Sequence, residues 1–189
     1  MNNTREITGS YFSGGVSSAV ATKLAIGEID LIVYTHIDDQ HPDTMRFVKD
    51  CEAWFGKPVV ILQSRFKTVD EACRRASFIR GPNGAPCTRI LKRGVRKDFE
   101  ALFDQKIRAV WGLDSEETGR MERIRDSMPD HDHLFPLADK KIGKVHAHEI
   151  LKASGIKRPA MYEMGYHNNN CVGCVKGGAG YWNKIRRDF

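Results

Sequence analysis

The sequence predicts an α/β domain: a doubly wound, mainly parallel sheet with helices on both faces and an irregular, cysteine-bearing C-terminal extension. Three observations predict it. Short apolar runs alternate with stretches of helical periodicity from residue 7 to about residue 112, the pattern of strands that pair in parallel through helical crossovers. The segment Ser13-Gly14-Gly15-Val16-Ser17-Ser18 separates the first apolar run from the first helical stretch, at the carboxyl end of a strand, where open α/β sheets take their ligands. Beyond the apolar run Ile107 to Gly112 the periodicity weakens, and the later chain carries Asn168-Asn169-Asn170-Cys171-Val172-Gly173-Cys174-Val175-Lys176-Gly177-Gly178. Residues 1–189 are expected to form one nucleotide-binding domain, with 129–189 an extension of it.

Ile7 to Phe12 reads as the first strand, Ser17 to Ala25 as the first helix and Ile29 to His36 as a second, strongly apolar strand. Asp43 to Phe55 carries Phe47, Cys51 and Phe55 at i, i+4 and i+8, one buried helical stripe. Val59 to Leu62 is a third strand, and Thr68 to Ser77 a helix with Val69, Ala72, Cys73 and Ala76 on one face. Arg80-Gly81-Pro82-Asn83-Gly84-Ala85-Pro86 is a turn-rich loop, after which Thr88 caps a helix running to about Phe103. Ile107 to Gly112 supplies a fourth strand. Thr118 to Ser127 and Lys144 to Ala153 are helical, while Pro129 to Leu137 and Gly155 to Gly178 are irregular.

At 189 residues and 41% hydrophobic content the chain is long enough for one full core. It has no run of about 18 apolar residues, and Met1-Asn2-Asn3-Thr4-Arg5-Glu6 lacks the apolar stretch of a secretory signal. A cytoplasmic protein without a membrane partner is therefore expected. In that compartment five cysteines serve as ligands, catalysts or core fillers rather than disulfides. The net charge of +6 suits an anionic partner, nucleotide or nucleic acid. Its basic clusters, such as Arg89 to Lys97 and Arg120 to Arg125, read equally well as solvated helix faces. A homodimer stays open.

The five cysteines divide by context. Cys51 and Cys73 sit on apolar helix faces and read as small core residues. Cys87, Cys171 and Cys174 lie beside Gly, Pro or Asn, and C-x-x-C spacing lets two soft thiolates reach one centre. A metal ion or an iron-sulfur cluster suits this set. In the loop Ser13 to Ser18, two glycines let backbone N–H groups approach an anion while a helix N-terminus adds partial positive charge. The bland alternative is a glycine turn with a serine cap. His36-Ile37-Asp38-Asp39-Gln40-His41-Pro42-Asp43-Thr44 follows the second strand, and its carboxylates suit a ribose or a magnesium ion, with capping by Asp43 and Thr44 weighed evenly. His131/His133 and His146/His148 read as surface or loop histidines rather than metal pairs. Tyr162, Tyr166, Tyr181 and Trp182 read as packing that anchors the cysteine loop.

These motifs together resemble a known family. Ser13 to Ser18 resembles the S-G-G-x-D-S pyrophosphate loop of the adenine nucleotide alpha-hydrolase superfamily, with Ser17 in place of the aspartate. Pro42-Asp43-Thr44 resembles the P-E-T of phosphoadenylyl-sulfate (PAPS) and adenylyl-sulfate reductases. Gly112-Leu113-Asp114-Ser115-Glu116-Glu117-Thr118-Gly119-Arg120 is similar to their G-[IL]-R-x-x-E-S-x-x-R. Met161-Tyr162-Glu163-Met164-Gly165-Tyr166 followed by Cys171 and Cys174 resembles their L-Y-x-x-G-Y leading into C-x-x-C. The matches run in order from about residue 7 to 176.

The resemblance implies a Rossmann-like nucleotide fold. It implies an adenine nucleotide, ATP or a sulfonucleotide with or without magnesium, held by Ser13, Gly14, Gly15, Ser17, Ser18, His36, Asp38 and Asp43. Lys92, Arg120 and Arg123 would place positive charge near substrate and cluster. The family's cluster-bearing members carry a C-C pair upstream; here the pair reads Cys87-Thr88. The resemblance thus implies a 4Fe-4S cluster on Cys87, Cys171 and Cys174 with one iron open, as in cluster-dependent tRNA thiolases of the superfamily. It also leaves the chain without the nucleophilic tail cysteine of the reductases, ending at Phe189. ATP-dependent sulfur transfer to a tRNA-like or small-molecule acceptor is the expected activity. The alternatives are sulfonucleotide reduction with an external thiol, a nucleotide-binding scaffold without turnover, and a zinc-stabilised nucleotide- or nucleic-acid-binding module with His167 as fourth ligand.

Overall fold

The computed structural model describes residues 6–82 and 84–189; the start of the N-terminal segment read above and Asn83 of the turn-rich loop lie outside them. Five parallel strands lie side by side: β1 (Ile7–Phe12), β2 (Leu31–His36), β3 (Val59–Gln63), β4 (Ile107–Val110) and β5 (His133–Leu134), in the order β3-β2-β1-β4-β5. The chain winds outward from β1 through β2 to β3, then returns to the other side of β1 with β4 and β5. The reversal falls between β1 and β4, so the crevice for ligands opens at their carboxyl ends. Gly9 is a register point for both neighbours, pairing with Leu31 on β2 and Ala109 on β4.

Alternation along the strands assigns side chains to two faces. Phe12, Ile32, Tyr34 and Val110 face the main core, which is covered by α1 (Val16–Leu24), α2 (Asp43–Phe55), α6 (Pro136–Asp139) and α7 (Lys144–Ala153). α2 buries Phe47, Val48, Cys51 and Phe55, the stripe read from sequence, and stops at Gly56, whose φ of 69° ends the helix in the left-handed conformation. On the opposite face Tyr11 meets Trp111 and the Arg96 guanidinium, and it donates a hydrogen bond to Glu100. Arg96 and Glu100 lie on α4 (Val95–Glu100). α3 (Val69–Ala76) begins with a capping box, in which the Thr68 hydroxyl accepts from the Glu71 N–H and the Glu71 carboxylate accepts from the Thr68 N–H.

Four expectations are corrected. Thr88 does not cap a helix: Cys87 before it already has helical φ and ψ, and Thr88–Gly94 forms a π-helical stretch that runs into α4. Pro129 to Leu137 is not wholly irregular, since β5 pairs Ala109 with His133 and Val110 with Leu134; a two-residue strand is too short to show periodicity. His133 lies in β5 and not in a surface loop, its two nitrogens meeting Trp111 Nε1 and the Met128 carbonyl, while His131 stacks on it from the preceding loop, as read. Gly155 to Gly178 includes α8 (Ala160–Glu163), and the chain closes with a helix the periodicity did not reveal, α9 (Ala179–Asp188). α5 (Thr118–Ser127) and α7 have the predicted bounds. Among the described residues no helix is long and apolar enough to cross a membrane.

Gly112, just past β4, fixes how closely the two sides of the crevice approach. A Cβ there would stand 2.3 Å from Ser18 Cα and 2.7 Å from Ser18 N. Those are backbone atoms that cannot turn away, so Gly112→Ala is expected to push the β4 exit off the start of α1 and cost about 1–3 kcal/mol. Urea denaturation of the two proteins measures it.

Candidate nucleotide and thiol site

The loop after β1 is tied together by its own hydroxyls. Ser18 Oγ accepts the Ser13 N–H at 3.1 Å, lies 2.9 Å from Ser13 Oγ and donates to the Gly15 carbonyl at 2.9 Å. Gly14 takes φ 75°, with Thr44 and Tyr34 carbons 3.1 Å from where a Cβ would stand, so conformation and space both require glycine. The next residue, Gly15, is the N-cap of α1 and supplies no side-chain cap. A serine-capped turn is therefore not what the sequence builds here. The first-turn N–H groups of α1 are left for other partners, and one of them, on Val16, donates to Tyr162 Oη at 3.4 Å.

Beyond β2 the chain folds into a polar corner. Gln40 Oε1 accepts from Tyr34 Oη at 2.6 Å and from the Ile37 N–H at 3.1 Å. His36 sets Nε2 3.4 Å from Asp38, while its buried Nδ1 has no hydrogen-bond partner among the described residues. Asp38 also accepts from Gln63. Asp43 is already engaged: its carboxylate holds Arg46 at 2.7 and 2.9 Å and accepts the Ala160 N–H at 2.8 Å, tying α2 to the start of α8. The Arg46 guanidinium holds the Asp43 carboxyl below the usual aspartate range. Asp43 thus acts as a brace between elements and not as a free ribose or magnesium ligand.

The cysteine loop is stitched to both of these segments. Asn169, buried, donates through Nδ2 to the Gly14 carbonyl at 2.8 Å and to Thr44 Oγ1 at 3.1 Å. Gln40 and Cys171 form an antiparallel bridge, and the Val172 N–H donates to the Asp39 carbonyl at 2.8 Å. Tyr181 Oη donates to the Cys171 carbonyl at 2.7 Å and accepts the Cys174 N–H at 3.0 Å, while Trp182 packs over Gly173. The aromatic residues around the loop therefore anchor it, as read from sequence.

Burial pushes the Cys171 thiol up to about 11, with Cys174, Asp39 and Cys87 adding to the rise and Lys92 opposing it. Cys87, Cys171, Cys174 and Lys92 are thus electrostatic neighbours, brought together from segments 84 residues apart in sequence, from position 87 to 171. Among the described residues no three histidine, cysteine or carboxylate groups are already drawn to ion-holding positions. The donor set nonetheless fits a soft metal centre: partly buried thiols, oxygen ligands few, a cation nearby to favour thiolate. His167 is exposed and lines a cavity of about 850 Å3 between α7 and α8.

Arg120 and Arg123 are exposed on α5, with Arg120 paired to Glu117. Among the described residues no contact places either guanidinium on the loop Ser13 to Ser18. Ser17 is half-buried at the start of α1. Sequence reasoning missed three contributors: Asn169, Gln40 and Asp39. They act through loops whose meeting no local pattern encodes. Cys51 is fully buried in the main core, and Cys73 is half-buried and packs, with Cys87, against a smaller apolar cluster.

No family model matches the chain, and no curated protein does. Among solved structures it is similar to the phosphoadenylyl-sulfate (PAPS) reductase of Candida auris in a phosphate complex: 9% identity over 87% of this chain and 80% of that one, with a TM-score of 0.56. The fold is that of a PAPS reductase.

Asp43→Asn is expected to loosen the α2–α8 brace at a cost of about 1–3 kcal/mol near neutral pH. A native carboxyl held below the unfolded value of about 3.9 contributes fully above about pH 4, and the contribution is lost as pH falls through the native value. The melting temperatures of wild type and Asp43→Asn should therefore differ at about pH 6 and converge toward about pH 2, as a thermal-melt series measures.

Proposed function

We propose that the protein binds an adenine nucleotide at Ser13 to Ser18 and performs sulfur chemistry at a thiolate-bound centre held by Cys87, Cys171 and Cys174, as an enzyme of ATP-dependent sulfur transfer. The observation that carries the reading is the direct linkage of the two sites. The side chain of Asn169, two residues before Cys171, is hydrogen-bonded to the backbone of the glycine loop itself. A fold whose solved neighbour is a sulfonucleotide reductase adds support at the level of architecture.

In this reading the uncapped start of α1 and the backbone around Gly14 and Gly15 receive the nucleotide's phosphates. An acceptor oxygen attacks the α-phosphorus, the bond to the β-phosphate oxygen breaks and pyrophosphate leaves. A sulfur nucleophile then attacks the acceptor carbon, and the acceptor-to-oxygen bond breaks to release AMP. Lys92, beside Cys171, favours anionic sulfur. In the same reading His36 and Asp38, at and just past the end of β2, serve the ribose or nucleotide-bound magnesium, and Arg120 and Arg123 serve phosphate. A 4Fe-4S cluster, when bound, supplies a site at which inorganic sulfide is held and delivered. Zinc on the same thiolates would instead give a structural site without redox chemistry.

A second reading, reduction of a sulfonucleotide by an external thiol, draws on the fold alone. The two divide on products, pyrophosphate and AMP from the first, sulfite and a nucleoside phosphate from the second. Anaerobically purified protein is expected to contain iron and acid-labile sulfide with broad visible absorbance, lost in Cys87→Ala, Cys171→Ala or Cys174→Ala. One equivalent of zinc without iron would overturn the cluster, and sulfite release without pyrophosphate would overturn sulfur transfer.

A further inference from the structure

We infer that Cys73 is a fourth thiolate ligand of this centre, so that the set is Cys73, Cys87, Cys171 and Cys174 and the resting site is closed. The inference rests on the reading that the thiols hold a soft metal centre, whether cluster or zinc. The geometry comes from Asp39. Its carboxylate accepts the Val69 N–H at 2.6 Å, at the first turn of α3, and its backbone carbonyl accepts the Val172 N–H at 2.8 Å, inside the C-x-x-C turn. One residue therefore clamps α3 against the cysteine loop.

On α3 the buried face is Val69 and Ala72, and Cys73 follows one turn beyond Val69 on that side. Val69, Ala72, Ile37, Leu91 and Cys171 form one apolar cluster, and Cys73 and Cys87 both pack against it. Cys73, Cys87 and Cys171 thus share one apolar patch, Cys174 follows Cys171 across the C-x-x-C turn, and Cys51, the fifth, lies in the separate main core.

The position after Cys87 is Thr88, which lies in the π-helical stretch and offers no thiolate. Cys73 reaches the same region from a different element. Four soft donors complete a tetrahedral S4 site for zinc or the ligand count of a 4Fe-4S cluster.

Cobalt(II) titration of the reduced full-length protein under argon tests this independently of turnover. Wild type should show tetrahedral d–d bands and thiolate-to-cobalt charge transfer. Cys73→Ala and Cys73→Ser should each lose about one quarter of the charge-transfer absorbance, as Cys87→Ala does, with far-UV circular dichroism unchanged, while Cys51→Ala loses none. Full absorbance in both folded Cys73 variants, with the loss kept in Cys87→Ala, would overturn Cys73 as a ligand and leave the three-cysteine centre standing. Absence of thiolate-to-cobalt absorbance in wild type would overturn both together.

Discussion

The amide of Asn169 is the interaction on which the site depends. It is buried, and its two hydrogen bonds reach the carbonyl of Gly14 and the hydroxyl of Thr44. These groups belong to the loop after β1 and the first turn of α2, so a single side chain sets the spacing of three segments. Leaving such groups unpaired in the interior costs about 1–3 kcal/mol each. The carbonyl of Gly14 is presented by a backbone with φ 75°, accessible to glycine at little cost. The open glycine loop, the polar corner after β2 and the cysteine turn are consequently parts of one hydrogen-bonded assembly.

The sheet contributes the other half of the constraint. Its strand order places the loop after β1 and the segment after β4 on the two sides of one crevice, and Gly112 lets those sides touch. Helices α1, α6 and α7 then cover the same face and share the main core. Tyr162 is a member of that core and also meets the Val16 N–H, so packing of the C-terminal region and shaping of the glycine loop are the same event.

Much of this was legible in sequence wherever one segment carries its own signal. Asp43–Phe55 could be read from Phe47, Cys51 and Phe55, and the strand β1 from an apolar run ending at a glycine loop. The motifs Ser13 to Ser18 and Cys171 to Cys174 stood out by composition. What could not be read was relation. Asp43 looks like a ligand or a cap until Arg46 and Ala160 are seen to occupy it. Cys73 falls on an apolar helical stripe, and a stripe records that a face is covered without recording what covers it. Thr88 is a good cap by type, but the preceding Cys87 already has helical dihedrals. β5 and α9 lay below what a two-residue run or a glycine-rich, charged tail can signal.

The bond between Asn169 and Gly14 joins residues 155 apart, which bears on how the protein is made. Closing so long a loop is entropically costly and is repaid only when both ends have structure to meet. During synthesis β1, β2 and β3 emerge well before the amide that clamps their loops. Until then the hydroxyl of Thr44 and the carbonyl of Gly14 face water, and the thiols of Cys73 and Cys87 lack the two that follow at 171 and 174. Assembly of these loops thereby waits on residue 169, and a chain that stops short of it carries the sheet's first strands without the clamp between the glycine loop and α2.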